Sequence, residues 1–452
     1  MAFRIPASAR RSFWIDVASG SGLSLGLAFL ALTTAVLRKS LGAPDWLLAL
    51  AVALPMVNQL LSPAWSGAGH LRRKVPFFRL GAYLTAGFIA LSAASSPLLV
   101  RLMGPKASSP GLFGASPEAL SFMLLTTLAW FAASGFNVLV TSVYRCNYPV
   151  LTRARVVSRI NVFKFLAALP VAVGVALLLE QASASGDRSF VWLLVVGSAA
   201  LVAAALIYNR QIVVGEEAYP AGWNARELLR QLVPQNLFGL LARNPHFLRY
   251  QIWQTFHGAG NIICLPAMTM VMVDKDKWNM GYAEYLVITT VIPGVAQIFS
   301  SVLWAPLIDR FSPSKARTYN TPFWVLGWLF FGYGAMTGTT WTAYASRAAA
   351  GIAMSGAGLI WALGSLHYSR REDPSQLVAA HSFLTGIRGL LFPLVGGWLY
   401  VHVGNWVFFI GAASMVIGGI GFYLQDLAER RDPNFISEKD TAAPSQPPAS
   451  DS

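Results

Sequence analysis

Apolar stretches of about 20 residues recur along this chain almost from end to end, separated by short polar and basic connections, each long enough to cross a ~30 Å hydrocarbon layer as a helix. Inside lipid every backbone N–H and C=O must be paired within its own segment, so such stretches become helices. Ten-residue segments of alternating polarity, the mark of a membrane barrel, are not found. The pattern predicts an all-α membrane protein with twelve transmembrane helices, at 13–36, 46–66, 78–101, 118–143, 156–180, 190–209, 250–273, 283–305, 320–338, 343–366, 379–402 and 405–425. Arg4, Arg10 and Arg11 precede a full-length apolar span with no small-residue cleavage site behind it, which reads as an uncleaved first helix rather than a signal peptide.

The spans repeat. An offset of 238 positions carries Arg249 onto Arg11, Gly258-Ala-Gly260 onto Gly20-Ser-Gly22 and Val295-Ala-Gln297 onto Val57-Asn-Gln59. The same offset carries Ser300 onto Ser62 and Arg310 onto Arg72. One constant shift across two spans and their connection indicates two pseudo-symmetric six-helix halves, an arrangement common among transporters. The expected divisions are 1–209 for the first half, a linker at 210–249, the second half at 250–428 and a disordered tail at 429–452. Within the linker, Asn224-Ala-Arg-Glu227 followed by Leu228, Leu229 and Leu232 predicts a capped amphipathic helix lying along the membrane surface.

Composition agrees: 55% of the 452 residues are hydrophobic and 12% charged, against about a quarter charged in a soluble domain. The net charge of +14 is distributed unevenly. One set of connections carries Arg4, Arg10, Arg11, Arg72, Arg73, Lys74, Arg145, Arg153, Arg155, Arg159, Arg310, Lys315, Arg317, Arg370 and Arg371. The other set holds only Arg38, Lys39, Arg101, Lys106, Arg188, Lys275 and Lys277. By the positive-inside rule both termini are cytoplasmic and the protein is a multi-pass protein of the cytoplasmic (inner) membrane. Basic loops facing anionic headgroups account for the charge without nucleic acid as a partner. Cys146 and Cys264 are too few for a disulfide framework or a metal cluster.

Ionisable residues within a bilayer are costly, by ~2.5–3.5 kcal/mol on the gentlest scale, and so should face a wet cavity or a partner. Asp16, Lys164, His257, Arg347, His381 and Arg388 are the ones in question. Gln254, His257 and Asn261 share a face of the seventh span, and His381, Thr385 and Arg388 a face of the eleventh. Asn137, Thr141 and Tyr144 do the same in the fourth; Gln59 and Gln297 are repeat partners. The repeat sets Asp16 against Gln254, and matching Pro170 to Pro393 leaves Lys164 and Arg388 one residue apart, two cations facing across a pseudo-twofold axis. The expected substrate and proton cavity is therefore lined by Asp16, Gln59, Asn137, Lys164, Gln254, His257, Asn261, Gln297, His381, Thr385 and Arg388. Competing readings stay open. Asp16 could be a helix-start acid favoured by the dipole, Lys164 could snorkel to the surface, and Arg347 could pair between helices.

The connection after the eighth span reads Ala305-Pro-Leu-Ile-Asp309-Arg310-Phe-Ser312-Pro-Ser-Lys315. It resembles the inter-helix signature of the major facilitator superfamily, a Gly, then Asp-Arg four and five residues on, then Gly and basic residues. The resemblance implies two six-helix halves around a central cavity open alternately to each side, with Asp309 and Arg310 closing the cytoplasmic face. In the first-half copy Gly67 and Arg72 hold their places but Leu71 stands at the Asp position, so an acid contact is not expected there.

No phosphate loop and no His-Glu-x-x-His motif occurs, so the chain does not read as an enzyme, and no cofactor or metal is expected. The expected function is a monomeric secondary transporter of a small polar or anionic organic solute, driven by the solute's own gradient or by protons, with His257 and His381 as coupling groups. Trp130, Phe131, Trp253, Phe256 and Trp361 keep open an exporter of amphipathic compounds, and a non-transporting accessory factor is the rival of another class.

Overall fold

The structure, a computed structural model, describes residues 9–30, 33–185, 190–220, 222–231, 234–274, 276–369 and 374–439, together with Ile5. Arg4, Arg188, Leu232, Lys275, Arg370, Arg371 and the tail from 440 onward lie outside the described residues.

Among the described residues there are twelve long helices. In the first half they are α1 (Arg10–Leu30), α2 (45–68), α3 (Lys74–Met103), α4 (Pro117–Asn147), α5 (Arg153–Ser185) and α6 (Phe190–Tyr208). In the second they are α7 (Pro245–Val273), α8 (282–310), α9 (Pro313–Thr337), α10 (Trp341–Leu363), α11 (Pro374–Val403) and α12 (Val407–Arg431). They coincide with the predicted spans, and several run past the apolar stretch into the basic connections. α2 tightens into a 3-10 turn at Asn58–Leu61, and α8 widens into a π turn at Val287–Val291.

The two halves repeat one set of neighbours. α1 packs on α5 and α6, α3 on α4 and α6, and α2 on α4; in the second half α7 packs on α11 and α12, α9 on α10 and α12, and α8 on α10. Between halves, α5 meets α8 and α2 meets α11. Small residues allow these close crossings. Gly22 lies against the Ala200 carbonyl and Ala204, and Ser19 donates to the Ala204 carbonyl at 2.9 Å. Gly260 and Gly411 do the same where α7 crosses α12. α6 buries one face through Leu194, Leu201 and Ala204 against α1 and α3.

Two segments pack on the helix ends. Asn224 caps the linker helix Ala225–Gln231 by accepting from Glu227 N at 3.2 Å, as predicted from the sequence. The helix then docks on the end of α2, where Gly67 leaves room for the Glu227 and Leu228 backbone. The predicted disordered tail is seated as far as Lys439. Phe435 packs on His246, His367 and Tyr368, and Glu438 pairs with Arg145 (3.3 Å) and Arg153 (2.8 Å). Lys439 donates to the Ile308 and Phe311 carbonyls at 2.7 and 2.6 Å. A short charged segment thus binds both halves at their basic face, because its side chains find free carbonyls and buried arginines there.

Candidate functional site

At the basic face the end of α8 meets the start of α5. The first N–H groups of a helix have no partner within it and attract negative charge. Asp309 supplies that charge from the opposite half. Its carboxylate accepts from Ala154 N (2.7 Å), Arg155 N (3.3 Å) and Arg155 Nε (2.8 Å). Asp309 thus joins the end of α8 to the start of α5 at this face. Arg310 does not: it is exposed, with its guanidinium over the Phe311 ring at 5.4 Å, and the cation on Asp309 comes from α5. Arg72, the other expected gate residue, makes no side-chain hydrogen bond or ion pair among the described residues. On that side α2 meets α11 through Ser66 to Ser375 (3.2 Å) and His70 to Gln376 (3.4 Å). Leu71 is exposed there with φ +51°.

Beyond the gate, a cavity of about 480 Å³ opens between the halves, lined from α1, α4, α5 and α10. Its polar lining is Ser24, Asn137, Thr141, Tyr144, Asn161 and Lys164, and its apolar lining includes Leu27, Phe165 and Trp361. The predicted polar face of α4 is thus presented to the cavity whole. Cavity residues of α5 begin at Val157, just past the Asp309-capped turn, so the gate closes this cavity toward the basic face.

Of the residues expected in one cavity, Asn137 and Lys164 line it. The others are not in its lining; α7 packs on α11 and α12, while α11 also packs on α2 of the opposite half. Asp16 is buried and accepts from Tyr148 Oη and from Gln211 Nε2 (2.9 Å), tying α1 to the ends of α4 and α6. It is neither a free helix-start acid nor a cavity wall, although Lys164 acts on it through space. Gln59 accepts from Ser62 Oγ at 3.4 Å within α2, and Gln297 is buried in α8. Asn261 accepts from Trp328 Nε1 at 3.1 Å, a bond between α7 and α9. Arg347 is buried with its Nε unpaired, so the expected pairing between helices is not seen.

Gln254, His257, His381, Thr385 and Arg388 do come together, in the core of the second half. Arg388 donates to Thr385 Oγ1 (2.6 Å) and Thr255 Oγ1 (3.4 Å), and His381 Nδ1 pairs with Gln251 Oε1 at 3.0 Å. The His381 ring lies 5.7 Å from Trp361, which separates this cluster from the cavity. Sequence reasoning missed Arg155 and Glu438, assigned to a solvated loop and a tail. It also placed Arg317 in a loop, whereas the long α9 buries it.

These features define a multi-pass helical membrane protein whose two bundles close on a central cavity at one face. The family model described as Major Facilitator Superfamily matches residues 256–449, and the chain as a whole shares its fold with solved structures of that superfamily. The proton:xylose symporter XylE bound to 6-bromo-6-deoxy-D-glucose is similar over 96% of this chain and 97% of its own, at 14% identity and TM-score 0.66. The human organic anion transporter MFSD10 is similar over 93% and 100%, at 15% identity and TM-score 0.67. FucP in the outward conformation is similar over 92% and 99%, at 12% identity and TM-score 0.63. No curated protein sequence matches the chain.

Proposed function

We propose that this protein is a monomeric secondary active transporter of the cytoplasmic membrane, moving a small organic anion by alternating access. The observation that carries the reading is the cavity of about 480 Å³ between the halves, with Lys164 as its cation and Asn137, Thr141, Tyr144 and Asn161 as hydrogen-bonding groups. A cavity of this size holds one small solute and supplies one charge and several polar contacts for orientation. The Asp309 cap supports an arrangement closed at the cytoplasmic face and receptive from outside. The asymmetry of the arginines and lysines supports both termini being cytoplasmic. MFSD10 is described as an organic anion transporter, and XylE as proton-coupled, which agree with an anionic solute and with H⁺ as the coupling ion. Asp16, beside Lys164, and His257 are the groups proposed to exchange the proton.

The test is uptake of labelled small carboxylates and phosphate esters into proteoliposomes, with and without an imposed pH gradient. Saturable uptake that falls at least about tenfold in Lys164→Ala supports the reading, since a lost charged hydrogen bond is worth about 1.5–3 kcal/mol. Equal flux in Lys164→Ala and wild type removes the cavity from the mechanism. Leu27, Phe165 and Trp361 in the same lining favour a second reading, export of amphipathic compounds, for which loss of drug resistance on deletion is the discriminating result.

A further inference from the structure

The repeat shows what the second half lacks. In the first half the stem of Lys164 crosses Gly20 of α1, and Asp16 one turn away lies in its field. In the second half Arg388 crosses Gly258 of α7, the residue that the 238-position offset pairs with Gly20. The two cations are thus seated alike, each on the glycine of its neighbouring helix. At the place of Asp16, however, the second half carries Gln254. It also adds a second buried guanidinium, Arg317, which has no side-chain hydrogen bond or ion pair among the described residues. Arg79, the position that the offset pairs with Arg317, gives its Nη1 to Asn209 at 2.6 Å instead.

Around these two guanidiniums the unsatisfied atoms converge. His257 Nε2, His381 Nε2, Gln251 Nε2, Gln254 Oε1 and Arg317 Nε are all buried without a hydrogen-bond partner. The charges acting on both imidazoles are Arg317 and Arg388, and no carboxylate contributes among the described residues. Buried cations left without a counter-charge cost several kcal/mol each, and unmade buried hydrogen bonds about 1–3 kcal/mol each. A core that keeps two such cations together, among buried polar groups with unused hydrogen-bonding capacity, is arranged for negative charge from outside the chain.

We infer that α7, α9 and α11 form an oxyanion-binding site, with Arg317 and Arg388 as its two guanidinium donors and His257, His381, Gln251 and Gln254 as the surrounding hydrogen-bonding groups. Planar guanidinium forks match the paired oxygens of carboxylate, phosphate or sulfate. The site lies behind Trp361, apart from the cavity that Lys164 lines. The occupant is either a free inorganic oxyanion or the anionic group of a transported solute, and the chemistry that binds them is the same.

The experiment reads binding without transport, so it stands or falls independently of the proposed flux. Inorganic phosphate and sulfate are titrated into the purified full-length protein in detergent, with the thermal unfolding midpoint as readout. A saturable rise in the wild type, weakened about tenfold or more in Arg317→Gln and in Arg388→Gln, is expected for the loss of a charge-assisted pair. Arg317→Lys keeps the charge without the fork and should bind phosphate with intermediate strength, which preserves the test if the glutamine variants fail to fold. No saturable rise with either anion, or one of equal strength in all variants, overturns the site. Phosphate that also competes with uptake of a labelled anionic solute assigns the site to the solute's charged group; phosphate that binds without competing assigns it to a resident inorganic anion. Both results uphold it.

Discussion

Asp309 and Leu71 stand at the same place in two copies of one connection, and they hold the basic face together by different means. On the α8 side a buried carboxylate caps the first turn of α5 and pairs with Arg155. On the α2 side, where Leu71 stands in place of the acid, α2 meets α11 through Ser66 to Ser375 and His70 to Gln376. Charge-assisted bonds are roughly twice as strong as neutral ones, and losing Asp309 removes the acceptor of two helix-end N–H groups and of Arg155 Nε. The two copies differ in backbone as well, since Asp309 is helical and Leu71 left-handed at φ +51°.

The largest expected effect comes from Asp309→Ala, which should favour opening of the basic face by about 2 kcal/mol, because it removes the acceptor of two helix-end N–H groups and of the partly exposed Arg155 guanidinium. Spin-label distances across that face should lengthen, and an unchanged distribution removes Asp309 from the gate. Glu438→Gln should act in the same direction by about 1 kcal/mol, because Arg145 is partly exposed while Arg153 is not. Its readout is the same distance pair, and a tail that contributes nothing leaves it unmoved. Leu71→Gly should raise the thermal midpoint by relieving a left-handed leucine, worth about 1 kcal/mol, with gate distances unaltered. Were Leu71 part of the closing contact, those distances would change as well. The smallest effect is expected for Ser66→Ala, about 0.5 kcal/mol for its neutral hydrogen bond to Ser375. If that variant opens the face as far as Asp309→Ala, the two joints are equal and the contrast between them fails.

Much of the fold was legible because the membrane enforces one rule on every span. Apolar length predicts a helix wherever backbone groups cannot reach water, and all twelve helices formed where that length occurs. The offset of 238 positions predicted more than topology, since Gly20 and Gly258 turn out to seat the cations Lys164 and Arg388 in matching ways. The candidate site was legible only in part. Helical spacing put Asn137, Thr141 and Tyr144 on one face and the cavity received all three. The same spacing grouped Gln254 with His257 and Asn261, yet Asn261 turned to Trp328 while the others joined Arg388 and Arg317.

Sequence by itself determined the class of fold, the duplication, the polar face of α4 and the identity of the acid at the α8 joint, because each is a property of spacing along one chain. Only the tertiary structure decided which neighbour each polar face meets. It turned α7 and α11 toward each other, drew Arg155 and Glu438 into the closure and enclosed Arg317 without a carboxylate partner among the described residues. The physical reason is that partners for a buried charge come from helices far apart in sequence, and periodicity orients a side chain without naming what stands opposite it.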